Sequence, residues 1–152
     1  MPHIPFDDSI LTWHKLDWLA HVWYYVYDVD RKNGIVDALF KFAPNSKAML
    51  HQHKTPYVTL VLQGELRFYR PNGELKGDPA DGQLRQGRRP NGEPHWESAA
   101  TRRPSSSSPV RYIIDELFVF LDDKMQPAVR LTIDDAEAVV QAQGRARWLP
   151  AA

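Results

Sequence analysis

Asn45-Ser46-Lys47-Ala48-Met49-Leu50-His51-Gln52-His53, followed by Gly64, is the stretch that decides the reading of this chain. In an extended strand, residues i and i+2 point to the same side. His51 and His53 therefore aim two imidazoles at one point. Neutral imidazole is a good ligand for divalent first-row metals. A third histidine, His95, closes the later run Pro90-Asn91-Gly92-Glu93-Pro94-His95. Brought in from a neighbouring strand, it would complete one face of a metal ion. Two surface or core histidines on one strand are the plain alternative for His51 and His53, and a loop histidine for His95.

Outward from this stretch, turn chemistry divides the chain into short strands. Arg31-Lys32-Asn33-Gly34 lies between apolar runs and marks a hairpin of about residues 21–30 and 35–43. Val36, Ala38, Phe40 and Phe42 alternate with Asp37 and Lys41, which gives one buried face. The histidine strand spans roughly 47–53. Thr55-Pro56 turns the chain, Tyr57 to Leu62 is β-branched and aromatic, Gly64 bends, and Glu65 to Tyr69 continues as strand. From about residue 71 to 109 no clean alternation appears. Ala100 to Pro109, with its run Ser105-Ser106-Ser107-Ser108, reads as an exposed loop. A strand pattern returns over Val110 to Leu121 and ends in the turn Asp122-Asp123-Lys124. The tail from Ile133 is helical to about residue 144. Thr132 and Asp135 resemble a capping box, Gly144 suits the stop, and Trp148 and Leu149 would pack back on the sheets. Many short strands and one terminal helix indicate an all-β barrel or sandwich.

Composition narrows the chemistry further. The chain has 152 residues, the length of one domain, residues 1–152. Lys+Arg and Asp+Glu balance at 19 each, so no global field points to nucleic acid or a membrane surface. There is no cysteine, so a metal would take N and O ligands. No apolar stretch approaches the roughly 20 residues of a membrane span, and the N-terminus lacks a signal-peptide pattern. A cytoplasmic protein is expected, without nucleic-acid or membrane partners. The exposed sheet edges and aromatic N-terminal strands point to self-association.

The spacing of these residues resembles the motifs of the cupin superfamily, a double-stranded β-helix of jelly-roll type. The first cupin motif is G-x5-H-x-H, then an acid, then G. Asn45 stands at the first glycine, and Asn tolerates the left-handed conformation. His51, His53 and Gly64 match, while Tyr57 occupies the place of the acid. The second motif, containing P-x-G-x2-H, matches at Gly82, Pro90, Gly92 and His95, with Ala99 replacing its final Asn. The resemblance covers about residues 35–122, the expected barrel core, with the C-terminal helix near 133–144.

A cupin with three histidines and no acid in the first motif is similar to the diketone-cleaving branch that includes acetylacetone dioxygenase and 2,4'-dihydroxyacetophenone dioxygenase. The resemblance implies a divalent metal on His51, His53 and His95, with Fe(II) favoured and Zn(II) or Ni(II) able to bind in vitro. It implies O2 and a small carbonyl substrate, bound as its enolate and cleaved at a C–C bond, and a homodimer or homotetramer. Glu97 shares its strand face with His95 and offers a fourth ligand, a partner to a ligand or a base; an exposed edge acid is the plain alternative. Tyr57 offers its hydroxyl to substrate or bound water, or simply forms an apolar wall. Glu93 lies in a turn, so its direction cannot be read. A non-catalytic cupin holding Zn(II) or a small ligand, and a metal-dependent isomerase or hydrolase, are the competing functions.

Overall fold

The computed structural model describes residues 6–77, 83–87, 91–100, 105–107 (backbone only) and 116–143. In chain order the strands are β1 (His14–Lys15), β2 (Val22–Asp30), β3 (Ile35–Phe42), β4 (His51–His53), β5 (Tyr57–Gln63), β6 (Leu66–Tyr69), β7 (Leu75–Gly77), β8 (Leu84–Gly87), β9 (Trp96–Ala99), β10 (Ser105–Ser107), β11 (Glu116–Leu121) and β12 (Pro127–Thr132), followed by helix α1 (Ile133–Ala142). They form one six-stranded sheet, β1-β2-β3-β10-β5-β8, and two three-stranded sheets, β12-β11-β4 and β7-β6-β9. Every ladder is antiparallel. The described sheets do not close into a ring. They stack as an open sandwich around one core.

The β2–β3 hairpin forms where the Asn-Gly signal places it. Tyr24 pairs with Phe40 and Val22 with Phe42, and Gly34 takes a positive φ at the turn. Val36, Ala38 and Phe42 are buried, with Phe40 partly covered. Val36, Phe40 and Phe42 meet Val61, Leu66, Phe68, Phe118 and Phe120 from the other strands in the main core. Burying such side chains is worth about 1.5–3 kcal/mol each. Helix α1 closes the core through Ile133 and Ala136. Its capping box is present as expected: Thr132 Oγ1 accepts from the Asp135 N–H, and Asp135 accepts from the Thr132 N–H at 2.8 Å. The helix is fastened to the hairpin at two places. The Gln143 side-chain amide bonds both backbone groups of Val26, donating to its carbonyl at 2.8 Å and accepting from its N–H at 3.1 Å, beside the irregularity in the β2–β3 register. Arg31 forks onto Glu137 and pairs with Asp134.

Three expectations need correction. The histidine strand is shorter than 47–53: only residues 51–53 are strand, and residues 44–47 approach β9 through isolated bridges. Among its described residues, the interval 71–109 contains four strands, β7 to β10. Ser105–Ser107, read as loop, lies between β3 and β5 in the large sheet, because its backbone completes both neighbours' hydrogen bonding. The turn at Asp122 leads into β12, which the sequence reading did not contain. There the Asp122 carboxylate accepts the N–H groups of Lys124 and Gln126 and returns the chain antiparallel to β11. Gly144, Trp148 and Leu149, the first part of the strand expected from Val110, and the motif positions Gly82 and Pro90 lie outside the described residues.

Candidate metal centre

β4 sets the first two ligand candidates. His51 and His53 are both buried, and the Gln52 side chain between them points away to donate to the Gly92 carbonyl at 2.8 Å. Across the ladder, His51 lies opposite Phe120 and His53 opposite Phe118. Directly paired residues share a face, so the imidazoles sit against two phenyl rings. The chain reaches β4 through Asn45, whose φ of 54° is the left-handed conformation expected at the first-motif glycine. It leaves β5 through Gly64 at φ 81°.

The third candidate arrives from a different sheet. His95 forms an antiparallel bridge with His51, each N–H donating to the other's carbonyl, at 3.1 and 2.9 Å. The pair brings the His51 and His95 ring centroids to 4.6 Å, with His53 5.1 Å from His95. Two residues along β9, Glu97 turns to the same side. Its carboxylate oxygens lie 3.8 Å from His51 Nε2 and 3.8 Å from His95 Nε2. One ligand atom from each of the four residues falls within 4.8 Å of the others. Ligands about 2.1 Å from one ion are separated by roughly 3–4.2 Å, so small adjustments bring the set to bonding distance. The acid missing from the first motif is thus met by an acid from β9.

The chemistry of these donors suits a divalent metal. His51 Nδ1 faces the Met49 carbonyl at 3.0 Å, and His95 Nδ1 faces the Glu93 carbonyl at 3.4 Å. A carbonyl only accepts, so Nδ1 carries the proton and Nε2 presents its lone pair inward. His95 Nε2 is buried with no hydrogen-bond partner, a position that an ion would satisfy. Burial, reinforced by His95, pushes His51 down to about 4, and burial with the neighbouring His51 and His95 pushes His53 well below its ordinary value. Both are neutral at pH 7, the form that ligates. Burial pushes Glu97 up, but His95, His51 and Arg85 more than offset it, so the carboxyl stays below its usual range and ionised.

Tyr57, at the vacant acid position, stacks on His53 with ring centroids 3.7 Å apart and 17° between planes. Burial and the charge of Glu97 push its hydroxyl up to about 12, against the opposing charge of Arg85. It is therefore a neutral hydrogen-bond donor at physiological pH. Gly87 faces Tyr57 across the β5–β8 ladder. A Cβ there would lie 2.0 Å from the ring, so only glycine lets the tyrosine lie flat. Trp96, beside His95, points the other way and packs with Leu50, Val119 and Leu121. Glu93 pairs with Lys76 at 2.9 Å and Arg70 at 2.8 Å.

Two cavities meet at the cluster. One, of about 30 Å³, is walled by Phe40, Phe42, Phe118 and Phe120 and reaches His51 and Glu97. The other, of about 180 Å³, is walled by Tyr57, Lys76, Arg85 and Glu93 and reaches His95. His53 lines both. The sequence reading named the four polar residues at the centre and Tyr57 beside them, but missed the rest of the walls. Arg85 and Lys76 sit on strands too short to show a period. Phe118 and Phe120 were visible as strand residues but not as neighbours of β4.

No family model matches the sequence, and no curated protein matches it. Solved structures do. An RmlC-like cupin from Ralstonia eutropha JMP134 superposes with a TM-score of 0.69 at 14% identity, covering 93% of this chain and 87% of that one. An acetylacetone dioxygenase from Acinetobacter johnsonii gives 0.62 at 11% identity over 94% of this chain and 99% of the other. A polyketide cyclase from Streptomyces resistomycificus gives 0.59 at 18% identity, covering 79% of this chain and 87% of the other.

Proposed function

The chain has the cupin fold, and we propose that it is a metal-dependent enzyme acting on a small enolisable carbonyl compound, with O2-dependent cleavage of a C–C bond in a β-diketone or hydroxy ketone as the reaction. The observation that carries this reading is the buried set His51, His53, His95 and Glu97 at the junction of two cavities. The likeness to a solved acetylacetone dioxygenase supports it. The metal, Fe(II) in this reading, would supply Lewis acidity and an electron path to O2.

The protein's own residues do the rest. Imidazoles that ligate through Nε2 would add no charge, and Glu97 adds one negative charge. A divalent ion held by all four keeps a net charge of about +1, less than the +2 of three histidines alone but still attractive to an enolate. Of the two Glu97 oxygens, one would help hold the metal, and the other would accept the proton lost when the substrate enolises. Tyr57 donates its hydroxyl hydrogen to the developing oxyanion from the polar cavity. The phenylalanine wall excludes water from the opposite side.

One feature favours a second reading. A fourth protein ligand can close a site, as in structural zinc centres. The chain would then hold Zn(II) or a small ligand without turnover. Metal analysis of wild type and of a His51→Ala/His53→Ala variant, then anaerobic Fe(II) loading and oxygen uptake with β-diketones and hydroxyacetophenones, separates the two. Stoichiometric metal lost in the variant, with oxygen uptake on one substrate, is the expected result. Tight Zn(II) with an inert Fe(II) form across the panel would select the binding function.

A further inference from the structure

The larger cavity holds a cation that the reaction above does not use. Arg85 lies on β8 opposite Thr59, half-buried, with its guanidinium 4.0 Å over the centre of the Phe68 ring. Its Nη1 fills the space over Gly77, where a Cβ would come within 2.3 Å. Across the same cavity its charge works against the upward push on the Tyr57 hydroxyl. The ring beneath it and the bare Gly77 backbone beside it set this orientation. Among the described residues no carboxylate lies within ion-pair distance of it. The cavity's other cation, Lys76, is paired with Glu93. Glu97, whose carboxyl Arg85 helps to hold below its usual range, belongs to the metal cluster.

A guanidinium held over a ring keeps its five N–H donors in a planar fork. Partly desolvated, and with no carboxylate partner among the described residues, it favours a carboxylate that can bind it bidentately. The cavity reaches His53 and His95 at one end and Arg85 and Lys76 at the other. We propose that Arg85 is a specificity-determining residue that binds the carboxylate of the substrate, so that the class of compound taken is a small enolisable keto acid. This rests on the metal-centred reading above and goes beyond it, because a simple diketone carries no group for Arg85.

Calorimetry tests it on the full chain in two stages. Fe(II) is first titrated into the metal-free protein under anaerobic conditions. The loaded protein then takes acetylpyruvate, a β-diketone bearing a carboxylate, or acetylacetone, its neutral counterpart. Wild type should bind acetylpyruvate roughly tenfold or more tightly than acetylacetone. Arg85→Met should reduce that ratio to near unity, and Arg85→Lys, which keeps charge but loses the fork, should leave an intermediate ratio. If Arg85 only props Tyr57, both ligands weaken together in Arg85→Met and the ratio persists, which overturns the inference. A wild type without the preference overturns it too, even if a variant fails to fold. Failure of the Fe(II) stage is a separate result: it removes the metal-centred reading and this inference with it.

Discussion

On one side of the histidine cluster stand Phe40, Phe42, Phe118 and Phe120, carried by strands of eight and six residues. On the other stand Tyr57, Lys76, Arg85 and Glu93, of which Lys76 and Arg85 sit on strands of three and four residues. The phenyl wall belongs to the main core and is locked by edge-to-face packing such as Phe40 on Phe118. The polar wall is held by scattered contacts: Arg85 over the Phe68 ring, Tyr57 stacked on His53, and Glu93 paired with Lys76 and Arg70. The difference separates two jobs. The apolar wall fixes where the imidazoles are, and the polar wall decides what may come near them.

The comparison can be broken most severely at the centre itself. In His51→Ala/His53→Ala, metal stoichiometry should fall to zero, and the rise in melting temperature on adding metal should vanish with it, as read by calorimetry and thermal denaturation. Retained stoichiometric metal would show that the cluster is not the site. On the apolar side, Phe118→Ala should cost about 3–5 kcal/mol in urea denaturation of the metal-free protein, because the ring is buried against His51 and His53. A loss below about 1 kcal/mol would mean that this wall is not structural in the sense argued. Gly87→Ala should cost about 1–3 kcal/mol. Its new methyl would strike the Tyr57 ring, which is backed by His53 and cannot retreat far. Arg85→Met should cost about 1 kcal/mol or less while changing ligand preference. If its stability loss rivals that of Phe118→Ala, the division between the walls fails.

What the sequence revealed follows from how local each signal is. Asn33-Gly34, Asn45, Gly64 and the Thr132/Asp135 capping box each act within a few residues, and each is found where expected. His51 and His53 needed only the strand period, and His95 and Glu97 needed the same period on a second strand. Leu75–Gly77 and Leu84–Gly87 show no more than two alternations, too few to stand out. Ser105–Ser107 has the composition of a loop and becomes strand only because β3 and β5 leave hydrogen-bonding edges on both sides. β12 begins with Pro127, which lowers any strand reading, yet a strand on a sheet edge accommodates a first-position proline. Arg85 gains meaning only from Phe68, Gly77 and Tyr57, which lie 8 to 28 positions away in the chain.

The reciprocal hydrogen bonds between His51 and His95 join strands from two separate small sheets. An ion gripped from both would act as a rivet through that seam. Its escape and the parting of the sheets would then be a single event, so the residence time of the metal would track the amide exchange rates of these two histidines.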